Sequence, residues 1–299
     1  MTLRVAARSI SGYVYEQLQQ GPPVQLQVLA VFQNACNLVC SDRRRPHRPV
    51  IALVNPALGD GVLSIVLDGT PWAVAALEPG VPGQLDGDVL QVGGLEVDCT
   101  QAGVWEPQPD WAYLRSRRAA MEAAFPTLRA LALEGGCDAS LLALLDETRR
   151  RNRPRDASCG AARRCLNPLK QGWIGDMARL HEGVAGLAGL GCGLTPAGDD
   201  FLSGASIWAW VAHPTPVPFC ESIAIAAAAR TTTLSGAFLC AAARGECGPA
   251  WQVLLAALAQ GNDGAMAQAV KDVLAYGATS GGDTLAGFLW AGTQFSLTG

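Results

Sequence analysis

The sequence predicts an α+β protein, with an antiparallel β-rich sandwich or barrel over residues 1–108 and an all-α bundle over residues 109–299. Three observations carry this. Val24, Leu26 and Val28 alternate with Gln25 and Gln27, the two-residue period of a half-buried strand. Turn-forming text recurs at short intervals as far as about residue 105. Beyond Pro109 almost no strand text remains, and long alanine-rich runs replace it.

In the first half, strands are expected at Val24–Val28, Val50–Val54, Val62–Leu67, Ala73–Leu77, Val89–Val92 and Leu95–Val97. Asn55-Pro56, Leu58-Gly59-Asp60-Gly61, Asp68-Gly69, Pro79-Gly80, Asp86-Gly87 and Gly93-Gly94 separate them as turns. Short strands without helical text between them favour a sandwich or barrel over βαβ units. Arg43-Arg44-Arg45-Pro46-His47-Arg48 reads as a charged hairpin loop.

In the second half, helices are expected over 110–122, 127–134, 139–151, 176–189, 196–212, 221–230, 235–244, 249–260, 265–276 and 283–295. Their alanine and glycine content lets helices approach closely. The segment Arg149–Arg164, with Arg149, Arg150, Arg151, Arg153 and Arg155 beside Pro154 and Gly160, reads as a solvated helix end and loop rather than as an anion site.

Composition bounds the function. Of 299 residues, 49% are hydrophobic and 16% charged, enough to build large cores. A formal net charge of −4 without a basic face argues against nucleic acid or an acidic membrane as the main partner. The ten cysteines are diluted over a long chain with no signal-peptide pattern ahead of them, so reduced, mostly buried thiols are expected. No apolar stretch is long enough to span a membrane, and a cytoplasmic protein is the expectation. The three histidines share no ligand spacing and no Cys-x-x-Cys occurs, so a zinc site is not expected. Gly-x-Ser-x-Gly and the lysine-containing P-loop are also missing from the sequence.

Two stretches carry the chemistry. The first, Gly189–Leu202, holds Gly193, Thr195, Pro196, Gly198, Asp199 and Asp200. The second, Ala278–Gly287, holds Thr279, Ser280, Gly282, Asp283 and Thr284. Both contain Thr-x-x-Gly-Asp, and both continue with a leucine and a glycine (Leu202 and Gly204, Leu285 and Gly287). Composition alone gives roughly a tenth of one such match. Thr195 followed by Pro196 reads as an N-cap and first helical residue.

Glycines and free N–H groups at a helix start suit an anion, whereas the aspartates repel one. Both features fit a ligand with an anionic end and an NH2 end. They fit equally if Mg2+ bridges the carboxylates to a phosphate. Asp199 and Asp200 diverge by about 100° on a helix, so one faces a ligand while the other caps or pairs. Against this stands the bland reading, since aspartate in a first helical turn also stabilises the helix dipole. The hydroxyls of Thr231–Ser235 either cap the next helix or, at Ser235, touch the ligand.

These stretches resemble the AllH family. Gly193–Leu202, Thr231–Ser235 with Ala243-Arg244-Gly245-Glu246, and Thr279–Gly287 follow its motifs, and Asn37-Leu38 matches an early Asn-Leu. Cys192 stands where the family often has Gly-Pro, and Gly282 where an aromatic is common. The resemblance implies a subunit of oxamate carbamoyltransferase in allantoin (purine) breakdown. That enzyme converts oxalurate and the co-substrate phosphate to oxamate and carbamoyl phosphate, with FdrA-like and AllG-type subunits as partners. Asp199, Asp200 and Asp283 are then the catalytic candidates. Gly193, Thr195, Gly198, Thr279, Ser280, Gly282, Thr284, Asn37 and Ser235 are the ligand-binding candidates, for a small anionic carbamoyl compound. The alternative is a non-catalytic assembly or binding subunit whose motifs only cap and pack helices.

Overall fold

The computed structural model describes residues 2–19, 23–42, 48–136, 139–146 and 157–295. It divides into two units, Met1–Pro107 and Gln108–Gly299.

The first unit is built from β1 (Leu3–Ser11), α1 (Gly12–Gln19), β2 (Val24–Val31), β3 (Ala35–Cys40), β4 (Val50–Val54), β5 (Ser64–Leu67), α2 (Pro71–Val74), β6 (Pro82–Asp86), β7 (Val89–Val92), β8 (Leu95–Asp98) and β9 (Gly103–Trp105). The strands lie in the order β5-β4-β3-β2-β6-β7-β8-β1, and β1 pairs back onto β5, closing a barrel. β9 is the extra strand: it continues along β1 at Ser9–Ser11, beyond the stretch Leu3–Ala6 that β8 occupies. Two-residue hairpins join β6 to β7 and β7 to β8. Gly87 and Gly93 open them at φ +52°, a conformation that only glycine adopts freely.

The barrel is mixed, which corrects the expected antiparallel arrangement. β1 runs parallel to β8 and β9, and β4 parallel to β5. The loop from Asn55 to Leu63, rather than a helix, carries the chain back between β4 and β5. The strand expected at Ala73–Leu77 is instead the short helix α2 and a turn. Pro71 is preset for the first helical position, and Trp72 is buried with its indole N–H donating to the Phe32 carbonyl at 3.1 Å. β1 lay outside the expected strands, although Leu3, Val5 and Ala7 alternate with Arg4 and Arg8. Those arginines pair across the sheet with Glu96 (3.0 Å) and Asp68 (2.6 Å). Ile10, Leu26, Leu38, Ile51, Leu53, Ile65, Leu67 and Leu85 fill the interior.

The second unit contains α3 (Trp111–Ser116), α4 (Arg118–Ala123), α5 (Phe125–Gly135), a 3-10 turn (Leu141–Leu144), α6 (Ala157–Trp173), α7 (Met177–Leu187), α8 (Ala197–Ala212), α9 (Pro216–Ala227), α10 (Thr233–Ala243), α11 (Pro249–Gln260), α12 (Asp263–Leu274) and α13 (Ser280–Gln294). The single helix expected over 110–122 breaks at Arg117, whose φ of −100° and ψ of 7° lie outside the helical range. Of the helix expected over 139–151, the described residues show only the 3-10 turn. Of the Arg149–Arg164 segment, residues 149–156 lie outside the described residues, as do residues 43–47 of the earlier arginine run. Residues 157–164 begin α6, despite Gly160 and the internal Pro168. α6 persists because it forms a tight hairpin with α7. A Cβ at Gly172 would meet Leu180, one at Gly183 would meet Leu169, and one at Gly186 would meet Cys165.

α8 and α13 form the centre of this unit. Phe201, Trp208, Leu285, Phe288 and Leu289 are fully buried along them. The two helices touch backbone to backbone: a Cβ on Gly204 would collide with the Thr284 carbonyl, and one on Gly287 with the Phe201 carbonyl. They also run in the same direction. Their starts meet at Thr195 and Ser280, whose hydroxyls are 3.0 Å apart. Their ends meet at Arg118, which donates to the carbonyls of Ala212 (3.1 Å) and Phe295 (2.5 Å) while paired with buried Glu122 at 2.7 Å. Among the described residues, no helix is long and apolar enough to cross a membrane. The nine described cysteines are free, and all but exposed Cys192 are buried or half-buried. Burial pushes the thiols of Cys36, Cys99 and Cys220 up to about 11, 12 and 12, which keeps them protonated and unreactive.

Candidate functional site at the paired helix starts

Thr195 was expected to cap α8, but the cap position is Pro196 and no side chain caps there. The Thr195 hydroxyl reaches across to Ser280 at the start of α13 instead. This link, with the glycine contacts one turn further on, brings the two Thr-x-x-Gly-Asp stretches together. The glycine-rich approach remains at the surface. Gly191–Leu194 and Ala275–Ala278 are exposed, Thr195 and Thr279 are half-buried, and Asp199, Asp200 and Asp283 lie beneath them.

The three aspartates differ sharply. Asp199 accepts hydrogen bonds on both carboxylate oxygens, from the Gly189 N–H (3.1 Å), from the Thr231 hydroxyl and from the Ser235 hydroxyl (3.0 Å). It thereby ties the loop before α8 to the start of α10, where Thr232 is the cap and accepts from the Ser235 N–H at 3.1 Å. Burial raises the Asp199 pKa, and the bonds from Thr231, Gly189 and Ser235 oppose that rise.

Asp200 and Asp283 are only half satisfied. The Oδ1 of Asp283 accepts from the Leu141 N–H of the 3-10 turn at 2.6 Å, while its Oδ2 is buried without a hydrogen-bond partner. Burial raises this carboxyl, with bonds from Leu141 and Thr279 opposing. The Oδ2 of Asp200 is likewise buried and unpartnered. Burial pushes Asp200 up to about 8; hydrogen bonds from Ser280 and Thr195 oppose this, and the negative charges of Asp283 and Asp199 add to it. At neutral pH Asp200 therefore holds a proton in the absence of a cation. Among the described residues, no lysine or arginine pairs with any of these three carboxylates.

Only some of the other expected site residues lie around this pair. Ser280 and Thr195 lie against Asp200, and Thr279 against Asp283. The Thr284 hydroxyl bonds back to the Ser280 carbonyl at 2.7 Å. Gly282 packs on Ser140 and Leu142, and Gly198 on the Leu187 carbonyl, so both serve close packing. Gly193 is exposed at φ +99°. Ser235 serves Asp199. Asn37 is in the other unit, buried on β3 between Ala30 of β2 and Ala52 of β4. The amides expected to receive an anion are partly engaged: the Gly198 N–H donates to Leu190 O (2.9 Å), and those of Asp199 and Asp200 donate to Pro196 O (2.9 and 3.2 Å). The sequence does not assign to the site Ser140 and the 3-10 turn Leu141–Leu144, which form the wall behind Gly282 and supply the N–H that holds Asp283. No local motif marks it.

Comparisons with known proteins add one finding. Neither a curated protein nor a solved structure matches the chain. A family model does match, described as oxamate carbamoyltransferase subunit AllH, over residues 187–292. That span runs from the end of α7 through almost all of α13, and it includes both aspartate-bearing helix starts together with α10. Over residues 187–292 the chain is therefore similar to the AllH family of oxamate carbamoyltransferase subunits.

Proposed function

We propose that the chain is a cytoplasmic subunit of a carbamoyltransferase of the oxamate type, acting in purine breakdown with FdrA-like and AllG-type partner subunits. Oxalurate and phosphate are its substrates, and oxamate and carbamoyl phosphate its products. The observation that supports this reading is the pair of buried, unpartnered carboxyl oxygens on Asp200 and Asp283, at matched helix starts within the family-matching region. A buried polar atom without a partner carries a cost of about 1–3 kcal/mol. Two at one place are the mark of groups kept for a ligand. Oxalurate carries a carboxylate and a terminal NH2, the mixed polarity that this end of the helix pair suits.

A second reading, a non-catalytic assembly subunit, is favoured by Asp199. Its two oxygens are fully engaged within the fold, and the motif glycines close backbone contacts. One measurement separates the readings: carbamoyl phosphate formation from oxalurate and phosphate by the reconstituted complex. Asp283→Asn should fold and assemble yet lose ten-fold or more in activity, the equivalent of a charge-assisted hydrogen bond of about 1.5–3 kcal/mol. Full activity with Asp283→Asn would leave the assembly role standing.

A further inference from the structure

We infer that the Asp200–Asp283 pair is a site for one hard divalent cation, Mg2+ or Mn2+, held between the starts of α8 and α13. The inference rests on the geometry there and not on the reaction proposed above.

Asp283 is anchored through Oδ1 to the Leu141 N–H, and Asp200 lies beside the Ser280 and Thr195 hydroxyls, which meet each other. In both, Oδ2 is buried without a partner, on side chains that are 0% and 9% exposed. Ser280 lies one helical turn before Asp283, and its hydroxyl meets Thr195 at 3.0 Å. Two buried carboxyl oxygens at one place are left without a partner by the described residues. One divalent ion, displacing the proton of Asp200, would engage both.

The donor set selects the ion. Among the described residues, no three histidine, cysteine, aspartate or glutamate side chains are grouped as metal ligands. A caged Ca2+ needs six to eight oxygens, and zinc needs nitrogen or sulfur. Mg2+ is commonly held by one or two carboxylates while keeping several waters and a substrate phosphate oxygen. Half-buried Thr195 and Thr279, under exposed Gly191–Leu194 and Ala275–Ala278, leave a solvent-facing side for those waters.

The test uses the full chain alone, without partner subunits or oxalurate, and reads Mn2+ binding by electron paramagnetic resonance and calorimetry. One site per chain is expected, competed by Mg2+. Asp283→Asn and Asp200→Asn should each weaken it at least ten-fold, while Asp272→Asn, on the exposed face of α12, leaves it unchanged. If an aspartate variant fails to fold, Ser280→Ala removes only the hydroxyl beside Asp200 and should still weaken Mn2+ binding several-fold. No Mn2+ binding by the folded chain at millimolar metal overturns the inference, as does binding that none of the variants Asp200→Asn, Asp283→Asn and Ser280→Ala alters. A reconstituted complex that turns over oxalurate while the folded chain binds no Mn2+ would overturn this inference and leave the proposed function intact. A chain that binds Mn2+ at this site but supports no turnover does the reverse.

Discussion

The start of α8 and the start of α13 share a sequence pattern but not a role. By motif, Asp199 corresponds to Asp283. By geometry, Asp283 is matched by Asp200, because those two keep a buried oxygen free while Asp199 is wholly engaged by Gly189, Thr231 and Ser235. The added aspartate after α8's Gly-Asp makes the difference. One carboxylate holds the loop and α10 in position, which leaves its neighbour, about 100° round the helix, to face the partner helix. A repeated motif thus specifies a repeated place in the fold, and the surrounding elements decide which member of it is available for chemistry.

The comparison breaks most readily at the helix contact. If the two starts are held together by matched glycines, Gly204→Ala and Gly287→Ala should be comparably severe. Each puts a methyl group onto a backbone carbonyl that cannot move away. A loss of about 3 kcal/mol or more, or failure to fold, is expected in denaturant melts. A mild effect at either position would mean that the helices can slide apart, and the matched-start picture would fail.

Next comes the contrast between the aspartates themselves. Asp199→Ala strands three donors, on half-buried Gly189 and Thr231 and on buried Ser235, and should cost about 2–4 kcal/mol by chemical denaturation. Asp283→Asn keeps the shape and the accepting oxygen, so its melt should stay close to the parent. Equal losses in the two variants would erase the distinction drawn here.

A pH series sharpens it further. Asp200 has a folded value near 8 against 3.8 unfolded, so the folded state holds an extra proton between those values. Stability should therefore fall as pH rises from about 4 to 8 and level off above, measured with a chelator present. Asp200→Asn, which cannot ionise, should show a shallower slope, the remainder coming from Asp199 and Asp283, which burial also raises. Relative to the parent it should gain on the order of 1–3 kcal/mol at pH 8 and little at pH 4. The smallest effect is expected at the bridge: Thr195→Val removes one half-buried hydroxyl contact with Ser280 and should cost about 0.5–1.5 kcal/mol in the same melts.

Much of this was legible in the sequence, for identifiable reasons. The period-2 alternation of Val24–Val28 and the glycine turns gave the β-rich half, and the repeated Thr-x-x-Gly-Asp pointed to one shared place on two helices. Barrel closure was not legible, because β1 pairs with β5, β8 and β9 at large sequence separation and no local pattern reports parallel pairing. α6 is not expected from the sequence, because Pro154, Gly160 and clustered arginines read as a helix end and loop. Tertiary packing of the α6–α7 hairpin, through Gly172, Gly183 and Gly186, overrides that propensity. Which aspartate keeps a free oxygen was beyond the sequence too. It depends on the turn at Leu141, far away in the chain and without a motif of its own.

The Arg118 clamp has a consequence for the order in which the protein assembles during synthesis. Arg118 grips the end of α13 across 177 residues, and Thr195 meets Ser280 across 85. The ribosome must therefore complete residue 295 before both ends of the α8–α13 pair can close. Until then α8, one of the most apolar helices of the chain, has no partner for Gly204, Phe201 and Trp208. The growing polypeptide carries an exposed greasy helix for roughly the time needed to add 80 residues, on the order of 4–16 s at about 5–20 residues per second. That interval is when a chaperone would find this chain, and when a truncated product would aggregate rather than fold.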